Sequence, residues 1–597
     1  MERTAAGVVA GGDVTLMLFD PGAPLRPVET EMINALGQGG HAIAAINKVD
    51  TISDLPTLAA KRDELEAFGV FKQIHAISAL TGDGCEGLLE DLSHYASPGP
   101  HFFADDIYTD QPEKQLVAEI VREKLLLHLQ EEIPAESLAD DAEPPYYRPP
   151  EGSDLHRYLM ERRRALGGPL PSRVVRTRRA LPLPPTDAFA ELLEGSGQTA
   201  ASTTTAFTRL LRALARTEGF GRRVVPIIPD EARTFGMDAL FREFGIYAAQ
   251  GQKYEPVDHA LLLSYTETRD GQVLEEGITE AGSVASWTAA ATAYATRGVP
   301  MVPFFVFYSM FGFQRVGDLL WQAADHRARG FLLGATAGRT TLLGEGLQHQ
   351  DGHSHVLAST VPACRAYDPA FAYEVATIVR HGITDMYGPD PSDVYYYLTL
   401  YNENHVMPAL PEGAEDGIVE GLYRWADAPD GTERAASILF SGTAHGAARA
   451  ARDELAEQHG IGVDLWSAPG WKQLREQALD VERWNRLHPA DVPRVPRVTE
   501  LLGDGPEPVV AVTDFMAAVP DQISRWVDRP YTALGTDGFG RSDTREALRS
   551  FFEVDAGHVT VAVLSSLARA RRIEVGEVAK ATARHGIDVE AVAPWLR

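Results

Sequence analysis

The chain has 597 residues, 44% of them apolar, and a formal net charge of −29. That length accommodates about three or four domains with buried cores, and that charge argues against a polyanion as principal partner, because nucleic-acid binding rests on neutralising phosphates. Two cysteines, Cys85 and Cys364, cannot build a disulfide framework; they fit a reducing compartment, and with no uninterrupted apolar run of membrane-spanning length and no secretion-signal layout in Met1–Asp13, the cytoplasm is the expected location.

In chain order, DVTLMLFDPG (Asp13–Gly22), HAIAAINKVD (His41–Asp50) and IHAISALTGDG (Ile74–Gly84) read as strands ending in loops, with amphipathic helices between them. NKVD (Asn47–Asp50) and ISAL (Ile77–Leu80) resemble the guanine-reading loops of small GTPases. By that resemblance the Asp50 carboxylate would accept hydrogen bonds from guanine, Asn47 would brace the loop, and Lys48 completes the motif. TDQPEKQLVAEIVREKLLLHLQEEIP (Thr109–Pro134) resembles the linker and first helix of the RNA-binding KH domain in Era-type ribosome-assembly GTPases. The departures are equally specific. No GxxxxGK[ST] loop occurs in the chain, no DxxG element precedes Asp13, and no glycine lies between Gly99 and Gly152 to form a GxxG clamp. Residues 1–108 therefore read as an incomplete P-loop-GTPase-like α/β fragment and 109–135 as the start of a KH domain, with neither GTP hydrolysis nor RNA binding expected. A doubly wound fold that lacks its first strands leaves a sheet edge unpaired and an apolar face uncovered.

SLADDAEPPYYRPP (Ser137–Pro150) is acidic and proline-rich, the composition of a linker. Residues 136–185 are assigned to this linker and an interdomain segment.

The informative stretch runs from Pro229 to His355. PDEARTFGM (Pro229–Met237) is followed by a strand-length apolar run, HALLLSYTE (His259–Glu267). EEGITEAG (Glu275–Gly282) then opens an alanine-rich helix over Gly277–Arg297, ended by Gly298. Val299–Tyr308 is the next strand and leads into FYSMFGFQR (Phe307–Arg315). A helix over Phe313–Ala328, a strand over Gly330–Gly338 and GEGLQHQDGHSH (Gly344–His355) complete the series. Alternation of this kind builds a parallel sheet with helices on both faces. Its ligands sit at the carboxyl ends of the strands, where Glu280, Tyr308 and His349 would gather.

Each of these residues has a plainer reading. Glu280 could simply favour a helix amino terminus, and Tyr308 and Phe311 could be core aromatics. His349, His353 and His355 have the spacing of metal ligands, but no cysteine lies nearby, and a metal site is not assigned. GATAGRTT (Gly334–Thr341) misses the phosphate-loop pattern at its first glycine and at its lysine.

Further on, SILFSGTAHGAARAARDELAEQHGIGVDLWSA (Ser437–Ala468) is a strand–helix–strand unit, and SDTRE (Ser542–Glu546) reads as a helix cap starting at the serine. With VYYYLTLYNENHVMPALPEGAEDGI (Val394–Ile418) and YTALGTDGFGRSDTREALRSFFEVD (Tyr531–Asp555), the segments from about Asp140 to Arg597 closely resemble the homodimeric-type pyruvate dehydrogenase. That family is the thiamine-diphosphate-dependent component of the pyruvate dehydrogenase complex.

The resemblance implies transketolase-like doubly wound sheets, with a pyrimidine-binding domain over 186–407 and a carboxyl-terminal domain over 408–597. It implies that Glu280 hydrogen-bonds a pyrimidine ring nitrogen of the cofactor, and that Phe311 stacks on the aminopyrimidine. Glu231, Tyr308 and His349 would assist proton transfers or orient the reacting groups. The family's GDG…N motif, which holds Mg²⁺ and the diphosphate, has no match: GDG occurs at Gly82–Gly84 and Gly503–Gly505, with no asparagine about 25 to 30 residues after either. The chain alone is thus expected to present only the aminopyrimidine side and to lack the Mg²⁺ ligands. The implied activity is decarboxylation of pyruvate and reductive acetylation of the lipoyl acyltransferase partner. The alternatives are a non-catalytic, dimerising scaffold or fusion product and, second, an Era-like GTP- or RNA-binding module. Gly282, Ala285, Ala289 and Ala293 put small side chains along one helix and favour a homodimer.

Overall fold

Two units, Met1–Arg157 and Tyr158–Arg597, divide the chain. The computed structural model describes residues 14–36, 41–52, 55–95, 149–166, 177, 180–229, 232, 234–255, 265–343 and 345–597. Thr109–Pro134, Glu231 and nearly all of the linker Ser137–Pro150 lie outside the described residues.

In the first unit, strands β1 (Thr15–Phe19), β2 (Ala42–Ile46) and β3 (Phe71–Ala76) are parallel and lie side by side in that order, with helices α1 (Pro27–Ala35), α2 (Leu55–Glu66) and α3 (Cys85–Tyr95) following them in turn. Residues of β2 alternate between two small cores. Ala44 and Ile46 pack with Met17, Phe19, Ile33 and Leu65, whereas Ile43 and Ala45 pack with Ile77 and Leu88. On edge strand β1, Leu16 is 37% and Leu18 59% exposed. The third strand lies earlier than the sequence pattern indicates. It ends at Ala76, and Ile77 onward is a loop that Ser78, Thr81 and Asp83 fold back through local hydrogen bonds. Ile77 is buried as a core contact of that loop rather than as a strand residue.

The second unit contains two sheets. The first joins β4 (Val224–Ile228), β5 (Leu274–Glu275), β6 (Val302–Tyr308), β7 (Phe331–Ala335), β8 (Cys364–Tyr367) and β9 (Tyr395–Thr399) in the order β8-β9-β7-β6-β4-β5, every pair parallel. Strand β6 is buried along its whole length, so its pattern is a continuous apolar run rather than an alternation. Phe304, Val306, Phe331 and Leu333 face one core, shared with helices α4 (Thr203–Arg216) and α7 (Ala372–Tyr387). Phe305, Phe307, Leu332, Tyr395 and Tyr397 face the other, with Trp287 of α5 (Glu280–Ala291) and Leu320 of α6 (Phe313–Asp325). This is the doubly wound arrangement.

Of the strand expected over His259–Glu267, residues 259–264 lie outside the described residues; Glu267–Thr268 pairs with Ile246–Tyr247, and the edge of the sheet is β5, too short to leave a pattern. Two expectations are corrected here. The helix expected over Gly277–Arg297 is two pieces. The Thr279 hydroxyl accepts from Gly282 N at 3.2 Å, starting α5 at Glu280. At the other end Thr292 leaves helical geometry and its hydroxyl donates to the Thr288 carbonyl at 2.8 Å, separating α5 from Ala293–Thr296. The cap within SDTRE is Thr544, not Ser542, because its side chain accepts from Ala547 N at 3.3 Å.

The second sheet has β10 (Tyr423–Ala426), β11 (Glu433–Phe440), β12 (Ile461–Ser467), β13 (Val509–Val512) and β14 (Tyr531–Leu534) in the order β10-β12-β11-β13-β14, with only β10 antiparallel. Ile438, Phe440, Val463 and Val510 belong to the same apolar cluster as Phe304 and Leu333, so one core runs continuously between the two sheets. Among the described residues, Arg545–Arg569 is long and apolar enough by composition to cross a membrane, but half of it is buried. It consists of two helices, Arg545–Phe551 and Ala556–Arg569, each well short of the roughly 20 residues that a span needs.

Candidate active site

Four of the sequence-derived candidates meet at the carboxyl end of the first sheet. Strand β6 ends at Tyr308, a tight turn follows over Ser309–Phe311, and Gly312 admits α6. A Cβ on Gly312 would lie 2.1 Å from the Phe307 ring, so the turn closes only around glycine. The Tyr308 ring stacks on His349, centroids 4.4 Å apart and planes 5° from parallel. Phe311 sets an edge against both rings, at 5.8 Å and 5.3 Å. From the loop after β4, Phe235 packs edge-on against Tyr308 at 5.2 Å; Glu231 is outside the described residues.

Glu280 is the first residue of α5, where the helix dipole favours its carboxylate. Its side chain is 13% exposed and is met by Arg315 of α6, whose Nη1 donates to both carboxylate oxygens at 3.2 and 3.3 Å. The same guanidinium lies over the Phe311 ring, 3.8 Å from its centroid. Arg315 thus links the carboxylate to the aromatic cluster, a role that the sequence reading did not assign.

His349 Nδ1 stands 2.9 Å from a Glu345 carboxylate oxygen. An ionised carboxylate only accepts, so Nδ1 carries the proton and the lone pair of the neutral ring sits on Nε2. The other two histidines diverge. His353 Nε2 is 2.6 Å from the Gln314 side-chain oxygen, and buried His355 donates from Nε2 to Thr399 at 3.1 Å. Burial pushes the His355 imidazole below its ordinary pKa and keeps it neutral. Three side chains with three separate partners do not form a coordination shell. Among the described residues no group of three or more His, Cys, Asp or Glu side chains is arranged for a metal ion.

Strand ends of both sheets share a buried polar seam that no motif in the sequence marks. Asp368, after β8, accepts from Thr399 (2.7 Å), Tyr401 (2.5 Å) and Ser441 (2.6 Å) hydroxyls. Asp514, after β13, accepts from Thr340 N at 3.1 Å. Burial pushes its carboxyl up to about 7, with nearby Arg549 opposing. The Thr340 amide belongs to the GATAGRTT loop, so that near-miss phosphate loop presents its backbone to a carboxylate of the chain itself. A cavity of about 700 Å³ adjoins the cluster, lined by residues including Met310, Gln314, Leu347, Gln350 and Arg541.

In the first unit, the two guanine-loop motifs do come together. Asn47 Oδ1 accepts from Lys48 N (2.8 Å) and Ala79 N (2.9 Å), and the Ser78 hydroxyl donates to Asp50 at 2.6 Å.

Residues 181–408 match the pyruvate dehydrogenase E1 component middle domain, and 421–555 match the transketolase-like carboxyl-terminal domain. The chain is 51% identical over 457 residues to the pyruvate dehydrogenase E1 component of Pseudomonas aeruginosa, covering 76% of this chain and 52% of that one. It is 51% identical over 447 residues to that of Mycolicibacterium smegmatis (74% and 48%) and 48% identical over 459 residues to that of Escherichia coli (77% and 51%). These relatives are enzymes of an oxidoreductase family, and the chain spans about half of their length. A solved transketolase from Leishmania mexicana is similar in fold, with a TM-score of 0.50 at 15% identity over 94% of this chain and 72% of that one.

Proposed function

We propose that this chain, which carries a pyruvate dehydrogenase E1 component middle domain and a transketolase-like carboxyl-terminal domain, supplies the aminopyrimidine side of a thiamine diphosphate site used in pyruvate decarboxylation. The supporting observation is the convergence of Glu280, Phe311, Tyr308 and His349 at the carboxyl ends of parallel strands, where such sheets bind ligands.

The residues fit such a ring. Glu280 and Phe311 already hold a planar, N–H-bearing group, the Arg315 guanidinium, by one carboxylate contact and one aromatic face. When bound, thiamine diphosphate supplies the electron sink for cleaving the carboxyl group from a 2-oxo acid. Glu280, at a helix amino terminus, would accept a hydrogen bond from a protonated ring nitrogen. Phe311 fixes the ring plane by stacking, at little conformational cost because the turn already holds its side chain. His349, oriented by Glu345 on one nitrogen and by the Tyr308 face, offers its other nitrogen to receive or return a proton at the substrate. Glu231 is assigned a similar proton-handling or orienting role from the family resemblance of PDEARTFGM (Pro229–Met237).

The diphosphate and its Mg²⁺ would be held by a domain of the family's GDG…N type, either on another segment or on another chain. The acceptor of the acetyl group is the lipoyl acyltransferase of the complex, the working unit is a homodimer, and the location is the cytoplasm. For the first unit, the braced Asn47–Ala79 and Asp50–Ser78 contacts favour a second reading, a guanine-loop remnant without phosphate recognition.

The test is a thiamine diphosphate titration with Mg²⁺, followed by pyruvate decarboxylation with a relative's separately expressed first domain added. The expected result is weak binding and no CO₂ release by the chain alone, release on complementation, and loss of that release in Glu280→Gln. Restored activity indifferent to Glu280→Gln would refute the assignment of the carboxylate.

A further inference from the structure

We propose that Gln350 is a positioning residue for His349. Its side-chain oxygen, held by the backbone N–H of Arg541, fixes the turn that carries the histidine, so that the carboxyl-terminal domain sets the orientation of the proton-handling ring. The inference rests on the reading of His349 as that ring.

His349 ends the turn Leu347–His349, and Gln350 follows it with extended backbone. The two neighbours take different partners. His349 meets Glu345, Tyr308 and Phe311, whereas Gln350 Oε1 accepts from Arg541 N at 2.7 Å in the loop after β14. Among the described residues, Glu345–Gly352 makes two hydrogen bonds to distant parts of the chain, and both reach the carboxyl-terminal domain. One is this bond, and the other runs from Met516 N to the Gly352 carbonyl at 2.8 Å. A stack on Tyr308 tolerates sliding in the ring plane, and Glu345 travels with the segment. The directional bonds from the loops after β13 and β14 therefore fix where the imidazole sits.

Gln350 is suited to this contact and to little else. It is 1% exposed, and an amide so far withdrawn from water calls for partners on both of its polar atoms. Only the oxygen has one: the atom that faces a backbone N–H must be the acceptor, and Nε2 has no partner among the described residues. The amide is held at this position by its oxygen. Across the contact stands Gly540, where a Cβ would lie 2.8 Å from the Gln350 Cβ and 3.0 Å from the Leu347 carbonyl oxygen. The loop reaches the His349 turn because no side chain intervenes.

The experiment uses the full chain with isotope-labelled histidine and long-range proton–nitrogen NMR at pH 8, His349 being assigned by the signals lost in His349→Gln. In the wild type, Nδ1 should appear as the protonated nitrogen and Nε2 as the bare one, because the hydrogen bond to Glu345 selects that tautomer. Gln350→Leu removes the acceptor at similar size, and Gly540→Ala forces the two segments apart with Gln350 intact. In both, His349 should lose its fixed tautomer and its two nitrogen signals should converge by about half or more of their separation. Gln350→Glu keeps an acceptor and gives up only the unpartnered Nε2, so its signals should stay apart. Gly540→Ala also serves should Gln350→Leu fail to fold, and loss of folding in both would assign the contact to stability and overturn the proposal. If both variants fold with the wild-type separation, positioning is overturned while the reading of His349 stands. Convergence in Gln350→Glu equal to that in Gln350→Leu would overturn the acceptor bond as the orienting contact. If the wild type itself shows converged signals, the reading of His349 as an oriented ring falls, and the proposal with it.

Discussion

Replacing Asp514 by asparagine should change how stability depends on pH. The Asp514 side chain is 2% exposed, and burial raises its carboxyl from an ordinary value of 3.8 to about 7 in the folded chain. Between about pH 4 and pH 7 the folded state therefore keeps a proton that the unfolded state has released, and stability falls as pH rises through that window. One proton corresponds to about 1.4 kcal/mol per pH unit, so the full window is worth about 4 kcal/mol as an upper bound. Asparagine keeps an oxygen for the Thr340 amide and cannot ionise. His405 and His445 slope the other way: burial lowers both, so the unfolded state binds their protons more strongly and stability falls as pH drops below about 6.5. They are unchanged in the variant and cancel in the difference. Thermal unfolding followed by near-ultraviolet circular dichroism at pH 5, 6, 7 and 8 should show Asp514→Asn gaining several degrees on the wild type from the lowest pH to the highest. A difference that stays flat across the series would refute the titration of Asp514 near neutrality.

Trp287→Phe should destabilise the second unit by about 1–3 kcal/mol in chemical denaturation, because Trp287 is fully buried and its indole N–H donates to the Phe331 carbonyl at 3.1 Å. Ala285 and Ala289 lie exposed on α5, and if that face joins two copies, Ala289→Arg should convert a dimer to a monomer in light scattering at tens of micromolar; an unchanged mass would exclude the face. A fluorescent GTP analogue at micromolar concentration should show no saturable binding to the chain. Guanine-specific binding lost in Asp50→Ala would mean that the braced loop suffices without a phosphate loop.

How far the fold could be read in the sequence depended on whether the deciding interactions were local. Val302–Tyr308 declared itself because a strand covered on both faces must be apolar at every position. The helix before it was visible from its alanines, but its start was decided by one hydroxyl, that of Thr279, and its end by Thr292 turning back on Thr288. Gly277 and Gly298, both at positive φ, lie just outside the helical turns and drew the sequence-based boundaries outward. Strand β5 has two residues and is a strand only because Ile227 and Ile228 lie alongside it. Nothing in Leu274–Glu275 could have announced that pairing.

The site divides along the same line. Glu280, Tyr308, Phe311 and His349 were legible because each sits in a motif at a strand-to-helix turn, and the parallel sheet then has to deliver them to one edge. Asp368 and Asp514 were not, since each answers to partners far away in sequence: Ser441 for the first and Thr340 for the second. The available sign was weaker, a carboxylate one or two residues past an apolar strand in CRAYD (Cys364–Asp368) and VVAVTD (Val509–Asp514), where it faces either solvent or buried donors. Arg315 was the most recoverable omission. Side chains on a helix lean toward its amino terminus, and Arg315 is the third residue of α6 while Phe311 closes the turn four residues before it. That lean alone carries a guanidinium back over the phenyl ring. Once α5 and α6 pack on one face of the sheet, the Glu280 carboxylate becomes the counter-charge it meets.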